Sequence, residues 1–303
     1  MNARRAYLAL LVLGAIWGLT IPLSRIAVSA GNQPFGLIFW QLFLAVGVLG
    51  ALRVVQRKPL LPPRLGLEVF IVVALLGTIF PNAISYRAAA ELPAGIMAIV
   101  IALVPLFALP IALMMRLERL DWGRFMGVVL GAAAIGLLIG PPDSLPDASK
   151  TIFVLIALGA PFFYGLEGNY LSLRGNTGLR PFDVIYGASL VGLVVVAPIA
   201  VLSGQFIPLW SQFGPAELAL MGSSAGHLVA YIGYVWLISY AGSVFAAQVA
   251  YLVTATGVIW SMLLLGETYS IWVWAALAVI MVAVTLVRPR APSTPAAIVS
   301  NEA

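Results

Sequence analysis

The chain contains no cysteine and a single histidine, His227. The first absence excludes disulfides, thiol catalysis and cysteine-bound metals; the second leaves too few imidazoles for a conventional zinc site. Charge is scarce as well: 9% of the 303 residues are Asp, Glu, Lys or Arg, where a soluble globule carries ~25%. With 62% hydrophobic residues and a mean hydropathy of +1.06, the solvent of this chain is a lipid bilayer. A net charge of +5 and a pI near 9.7 would suggest nucleic acid in a soluble protein. Here the basic residues gather at the ends of apolar runs, where they report topology. Nothing in the chain points to a nucleic-acid partner, a metal or a cofactor.

What the sequence does have is a succession of long apolar runs. A membrane-spanning helix takes roughly 20 apolar residues. Runs bounded by charges or by Pro, Gly and Asn predict helices near 6–29, 34–55, 66–87, 93–116 and 121–140. A second set is predicted near 150–173, 181–203, 215–239, 242–265 and 270–288. The first run also resembles a signal peptide, with Arg4 and Arg5 ahead of it and Val28-Ser29-Ala30 at its end. A signal's apolar core is only ~7–15 residues long, whereas this run extends from about Ala6 to Val28 and holds Trp17, Pro22 and Arg25. It reads as a retained first helix.

Placing the N-terminus in the cytoplasm leaves only Arg25, Arg87 and Lys150 outside among the 16 Lys and Arg. The remainder, including Arg53, Arg57, Lys58, Arg64, Arg116, Arg174, Arg180, Arg288 and Arg290, fall inside, as the positive-inside rule requires. Both termini are then cytoplasmic in a cell inner membrane. The stretch 291–303 is small, Pro- and Ser-containing and nearly uncharged, and is expected to be a disordered cytoplasmic tail.

The chain also echoes itself. Trp17-Gly18 and Pro34-Phe35 recur as Tyr164-Gly165 and Pro181-Phe182, each 147 positions on, and Glu118 recurs as Glu267, 149 positions on. Five helices per half is an odd number, so residues 1–145 and 146–290 form two repeats of opposite orientation, the construction of many secondary transporters. Glu118 and Glu267 precede the last helix of each half and are expected to bond its first free amides.

Polar side chains at membrane depth are costly and must face protein or a water-filled cavity. His227, Tyr231 and Tyr234 lie at i, i+4 and i+7 on the eighth helix, one face. Thr78, Asn82 and Ser85, with Tyr86 beside them, form the counterpart on the third. Tyr164 and Glu167 on the sixth helix, Trp17, Thr20 and Ser24 on the first, and Gln248, Tyr251 and Thr254 on the ninth complete the set. Aromatic faces with few charges suit an amphipathic organic solute, with rings stacking on one part and amides or hydroxyls bonding the other. They do not suit a small inorganic ion, which would call for acidic rings or a backbone filter.

Each of these positions has a plainer alternative. His227 could donate to a backbone carbonyl, and Trp17 and Tyr86 could be packing aromatics. Glu167 is either a proton-coupling carboxylate or one half of a structural lock with Arg174 or Ser172. Arg25 is expected to snorkel to the outer surface. Pro22, Pro81, Pro105, Pro110 and Pro161 lie inside predicted helices and should kink them.

Leu13-Gly14-Ala15-Ile16-Trp17-Gly18, Leu117-Glu118-Arg119 running into Gly127, and Leu265-Gly266-Glu267-Thr268 running into an Ala-rich last helix together resemble the EamA-type repeat of the drug/metabolite transporter superfamily. The resemblance extends from about Ala6 to Arg288. It implies an all-α integral membrane protein of ten helices, two inverted five-helix repeats around a central cavity, acting as an exporter of small molecules; the aromatic amino acid exporters are the members it is most similar to. Tyr164 and Glu167 stand where the first copy has Trp17 and Thr20, so the halves are expected to be used unequally. Transport of other drugs or metabolites is the nearest alternative. An enzyme using His227 and Glu167 as acid and base has too few groups for hydrolysis, and a receptor or scaffold would need no inverted repeat. Oligomeric state is not legible in the sequence.

Overall fold

A computed structural model describes residues 3–63, 66–119, 121–141, 143–145, 147–174, 179–209, 213–241, 245 and 248–287. Arg64, Arg288, Arg290 and the tail 291–303 lie outside the described residues. Among the described residues the secondary structure is wholly helical. Seven helices are long and apolar enough to cross a membrane: α1 (Ala3–Ser29), α2 (Pro34–Val55), α3 (Leu67–Ala89), α4 (Ala94–Met114), α5 (Trp122–Ile139), α6 (Ala148–Arg174) and α7 (Pro181–Leu202). The 27-residue α8 (Pro215–Ala241) and the shorter apolar helices α9 (Val249–Leu265) and α10 (Ile271–Leu286) bring the spans to ten. The molecule is a multi-pass, all-helical membrane protein. Its spans follow the hydropathy runs within a few residues, except that α9 starts at Val249, and 242–244 and 246–247 lie outside the described residues.

The termini show why the chain breaks where it does. Pro34 and Pro181 open α2 and α7, where the N–H that proline lacks would have had no helical partner. The Asp121 carboxylate accepts from the Arg124 amide at 3.0 Å and caps α5. Gly266, at φ 65°, closes α9 in the left-handed conformation that glycine takes without strain.

Three spans are interrupted, each just ahead of a proline. In α3 a π-helical turn, Leu75–Ile79, precedes Pro81; α4 breaks at Ala102–Leu103 before Pro105; α6 breaks at Leu158 before Pro161. A proline deprives the preceding turn of one amide bond, and the backbone absorbs the loss there. At Pro22 and Pro110, in contrast, the helix runs on unbroken.

Packing comes in matched pairs. The helix α1 lies against α8 and α9, and α6 lies against α3 and α4; α3 meets α7 as α8 meets α2; α2 with α7, α4 with α9 and α5 with α10 pair position for position. Exchanging the two sets of five helices maps these pairings onto themselves. The repeated Trp-Gly and Tyr-Gly dipeptides sit at their centre. A Cβ on Gly18 would stand 2.8 Å from the Gly257 amide nitrogen in α9, and a Cβ on Gly165 would stand 3.0 Å from the Ala108 amide nitrogen in α4. Small residues let helix backbones approach closely, which in lipid replaces the hydrophobic effect as the source of cohesion.

Polar bonds fasten the ends. Arg53 at the end of α2 pairs with Asp183 at the start of α7 at 2.6 Å, both largely buried, while Arg180 holds the other Asp183 oxygen at 3.0 Å. At the opposite end the Phe35 amide donates to Gln205 Oε1 at 3.0 Å and Trp40 Nε1 donates to the Ile207 carbonyl at 2.8 Å. Lys150 bonds Glu91 and holds that carboxyl below its ordinary range.

Two expectations are corrected here. Glu267 does not cap its own helix: its oxygens accept from the Ala94 and Gly95 amides of α4 at 2.8 and 3.2 Å, and Tyr269 bonds both Glu267 and the Gly95 amide. Burial and the bond to Glu267 push the Tyr269 hydroxyl well above its usual range. Glu118 instead accepts from the Arg124 guanidinium at 2.8 Å, leaving the cap of α5 to Asp121. Arg25, half-exposed, donates to the Ala89 carbonyl at 2.6 Å and ties α1 to the end of α3.

Because Gly165 faces backbone rather than a side chain that could swing aside, overpacking there has no relief. Gly165→Leu is expected to lower the stability of the detergent-solubilised protein by about 1–3 kcal/mol or more, read as an earlier thermal unfolding midpoint. Gly168→Leu, one turn away with open space around it, should leave the midpoint nearly unchanged.

Candidate functional site

Trp17 immediately precedes the glycine that seats α1 on α9, so its ring projects sideways, onto α8. There it meets the whole polar stripe of that helix edge to face. Ring centroids lie 5.4 Å from His227, 6.4 Å from Tyr231 and 6.0 Å from Tyr234, within the range favoured by aromatic quadrupoles. Thr20 is buried and donates to the Trp17 carbonyl at 2.6 Å. Ser24, one turn on, bonds the Thr20 carbonyl at 2.8 Å and lies 2.9 Å from Ser223 of α8.

The equivalent corner of the other half has different chemistry. Tyr164, preceding Gly165, donates to Asn82 Oδ1 at 3.1 Å. Asn82 Nδ2 and the Tyr86 hydroxyl both donate to Gln41 Oε1, at 3.1 and 3.0 Å. Four side chains from α2, α3 and α6 thus form one hydrogen-bonded chain in mid-bundle. Gln41 was absent from the sequence-based candidates, although an amide alone in the middle of the apolar run 34–55 was a usable signal.

Glu167 lies one turn beyond Tyr164, its carboxylate directly over Gly77 in the π-turn of α3, where a Cβ would collide with it. Thr20 stands in the same relation to Gly226 of α8, whose Cβ would come 3.1 Å from the threonine methyl. Glu167 is within electrostatic reach of Tyr164 and, across the bundle, of Tyr231.

The structural lock expected for Glu167 is not formed. Arg174 pairs with Glu68, and Ser172 donates to the Gly168 carbonyl at 2.9 Å. Among the described residues Glu167 has no hydrogen-bond or ion-pair partner, and neither has His227, so the backbone-bonded histidine is also not formed.

The remaining candidates are less central. Thr78 sits in the π-turn, half-buried, and Ser85 Oγ is buried without a bonding partner among the described residues. Gln248 abuts the start of α9, where its amide donates to the Phe245 carbonyl at 3.1 Å. Tyr251 packs against the large apolar core, and Thr254 is satisfied by the Ala250 carbonyl of its own helix at 3.0 Å. Asn169, buried and bonded to the Ala108 and Gly165 carbonyls at 2.9 and 2.8 Å, was missed; it braces the α4–α6 contact. Two hollows, of about 180 and 310 Å³, lie near Gln33 and Gln205 at the junction of α2 and α7, away from these residues. No cluster able to hold a metal occurs among the described residues.

A model of the EamA-like transporter family matches residues 4–140 and again 151–288. Over 283 residues the chain is 30% identical to the inner membrane transporter YedA of Escherichia coli (strain K12), covering 92% of this chain and 89% of that protein. The corresponding protein of Escherichia coli O157:H7 matches to the same extent. A solved structure described only as a crystal structure of a protein superposes with a TM-score of 0.59 at 20% identity, covering 91% of this chain and 95% of that one. That likeness extends to the fold.

Gln41 accepts two bonds in the low-dielectric interior, so its removal strands two donors. Gln41→Leu is expected to cost about 1–3 kcal/mol in detergent unfolding measurements. Adding Tyr86→Phe to Gln41→Leu should recover part of the loss by removing one stranded hydroxyl.

Proposed function

The chain belongs to the EamA-like transporter family, and from that premise we propose that it exports small amphipathic metabolites by alternating access, with aromatic or large apolar amino acids foremost. Residues 1–145 and 146–290 act as inverted repeats, and both termini face the cytoplasm of a cell inner membrane. The distribution of Lys and Arg supports this orientation, and the inner-membrane designation of the YedA relatives supports the location. As a transporter, the protein handles a small-molecule substrate in a lipid bilayer and is not an enzyme.

The observation that carries the reading is the pairing of unlike corners at equivalent positions of the two halves. Trp17, His227, Tyr231 and Tyr234 offer ring faces and edges; Asn82, Gln41, Tyr164 and Glu167 offer bonding groups. A solute with an aromatic body and a polar head spans the two. Kinked α3, α4 and α6 supply the joints about which one set of helices rocks on the other.

Proteoliposomes containing the full chain and preloaded with unlabelled phenylalanine or tryptophan should take up the labelled solute by counterflow. No counterflow of any amphipathic solute by folded protein would sink the reading. His227→Ala removes an edge contact worth ~0.5–1.5 kcal/mol, so transport should fall about two- to tenfold with folded yield unchanged; equal transport removes His227 from the site.

Glu167 is the coupling carboxylate in this scheme. Its carboxylate lies over Gly77 of α3 and has no ion-pair or hydrogen-bond partner among the described residues, which leaves it free to take up and release a proton. An imposed pH gradient should therefore drive wild-type uptake and have little effect on Glu167→Gln. A variant that responds to the gradient like the parent would rule the coupling role out.

A further inference from the structure

Among the described residues five hold a positive φ, and each follows the end of a helix. Gly31, Gly204 and Gly266 close α1, α7 and α9 at one end of the bundle. Arg57, at φ 54°, and Arg116, at φ 58°, close α2 and α4 at the other, the end from which α1 starts. The left-handed conformation is open to glycine and strained for a residue that carries a Cβ. One membrane face thus has the unstrained residue at these positions, and the other has arginine.

The helix ends are otherwise alike. After α2 the Arg57 amide donates to the Val54 carbonyl at 2.9 Å and the Lys58 amide to the Arg53 carbonyl at 2.8 Å. After α7, 147 positions on, the Gly204 amide donates to Val201 at 3.1 Å and the Gln205 amide to Ala200 at 2.8 Å. Arg116 and Leu117 repeat the pattern on Leu113 and Ala112, at 3.1 and 2.9 Å. Crowding does not explain the glycines, because a Cβ on Gly31, Gly204 or Gly266 would meet nothing within 4 Å. The helix dipole does not explain the arginines, because all five positions follow carboxyl-terminal ends and meet the same dipole. What differs is the membrane face.

Contacts within the protein do not offset the strain. Both arginines are exposed, and neither guanidinium has a hydrogen bond or ion pair among the described residues. Lys58 and Arg119 in the same connections carry positive charge without a positive φ, so the charge count that orients a chain does not require arginine at the strained positions. Val55 and Leu61, near Arg57 in sequence, and Met114 and Trp122, near Arg116, are largely exposed. Apolar side chains exposed at the ends of spans lie against lipid, which sets the guanidinium groups at the level of the headgroups. We infer that Arg57 and Arg116 bind the phosphates of anionic phospholipids in the leaflet on the N-terminal side, and that this contact offsets the strain in their backbone. A guanidinium meets a phosphate through paired bonds, and an anionic surface attracts each cation near it.

The test melts the full chain in a neutral maltoside detergent, alone and with added phosphatidylglycerol or phosphatidylcholine. Without lipid, the pair Arg57→Gly and Arg116→Gly is expected to melt about 2–4 °C above the wild type, because the strain is relieved and no headgroup contact is lost. Phosphatidylglycerol should raise the wild-type midpoint more than that of the glycine pair, while phosphatidylcholine should move both alike. The pair Arg4→Gln and Arg5→Gln removes as many charges from the same face and should keep most of the wild-type gain from phosphatidylglycerol. The pair Arg57→Asn and Arg116→Asn, whose side chain tolerates the left-handed conformation, should follow the glycine pair and replaces it if that variant folds poorly. A glycine or asparagine pair that melts at or below the wild type without lipid would overturn the inference. So would a gain from phosphatidylglycerol equal to that of the wild type, or an equal loss of gain in the Arg4 and Arg5 pair.

Discussion

Gly18 and Gly165 set the backbones of α1 and α6 against those of α9 and α4, and the position of the site follows from that closeness. In lipid no hydrophobic effect drives helices together, and cohesion comes from backbone approach and interhelical bonds. A side chain one position before such a glycine points about a quarter-turn away, toward the next neighbour. Trp17 therefore lands on α8 and Tyr164 on α3, and Thr20 and Glu167, one turn later, fall on the same sides. Two dipeptides thus place the floor of both corners.

The scaffold is matched between halves and the chemistry is not. Gly77 makes room for Glu167 where Gly226 makes room for Thr20, so the same notch holds a carboxylate in one half and a self-satisfied hydroxyl in the other. Thr78, Asn82 and Ser85 of α3 occupy the places of His227, Tyr231 and Tyr234 of α8. Gln41 has Ala188 in its equivalent place on α7, which confines the amide network to one corner. The result is a bonding corner in one half, a ring-lined corner in the other and, among the described residues, one carboxylate without a partner.

The spans were legible because each is a long apolar run with a stop signal, and lipid leaves helix as the only single-segment answer. The interruptions were legible as to cause but not as to place: proline marks all three, yet the helix runs on unbroken at Pro22 and at Pro110. Stripes of polar residues located α3 and α8 facing inward, because period 3.6 sorts a helix by face. What sequence spacing could not deliver was partnership. Glu267 precedes α10 yet bonds the first amides of α4. Arg174 follows Glu167 along the same face of α6 and pairs instead with Glu68 on another helix. Gln41 receives its two bonds from residues 41 and 45 positions away. These bonds are set by which helices touch, which hydropathy does not encode.

Alternating access requires two conformations separated by no more than a few kcal/mol. In the proposed cycle the halves exchange roles about two like joints, the Gly18 contact on α9 and the Gly165 contact on α4, both formed in this structure. Matched scaffold contacts keep the two arrangements close in energy, whatever the residues in the site. In that cycle the unmatched residues are the ones proposed to meet the solute, and they are free to differ. Net direction then follows from the gradients of solute and proton across the membrane, and the asymmetry of the site serves selectivity.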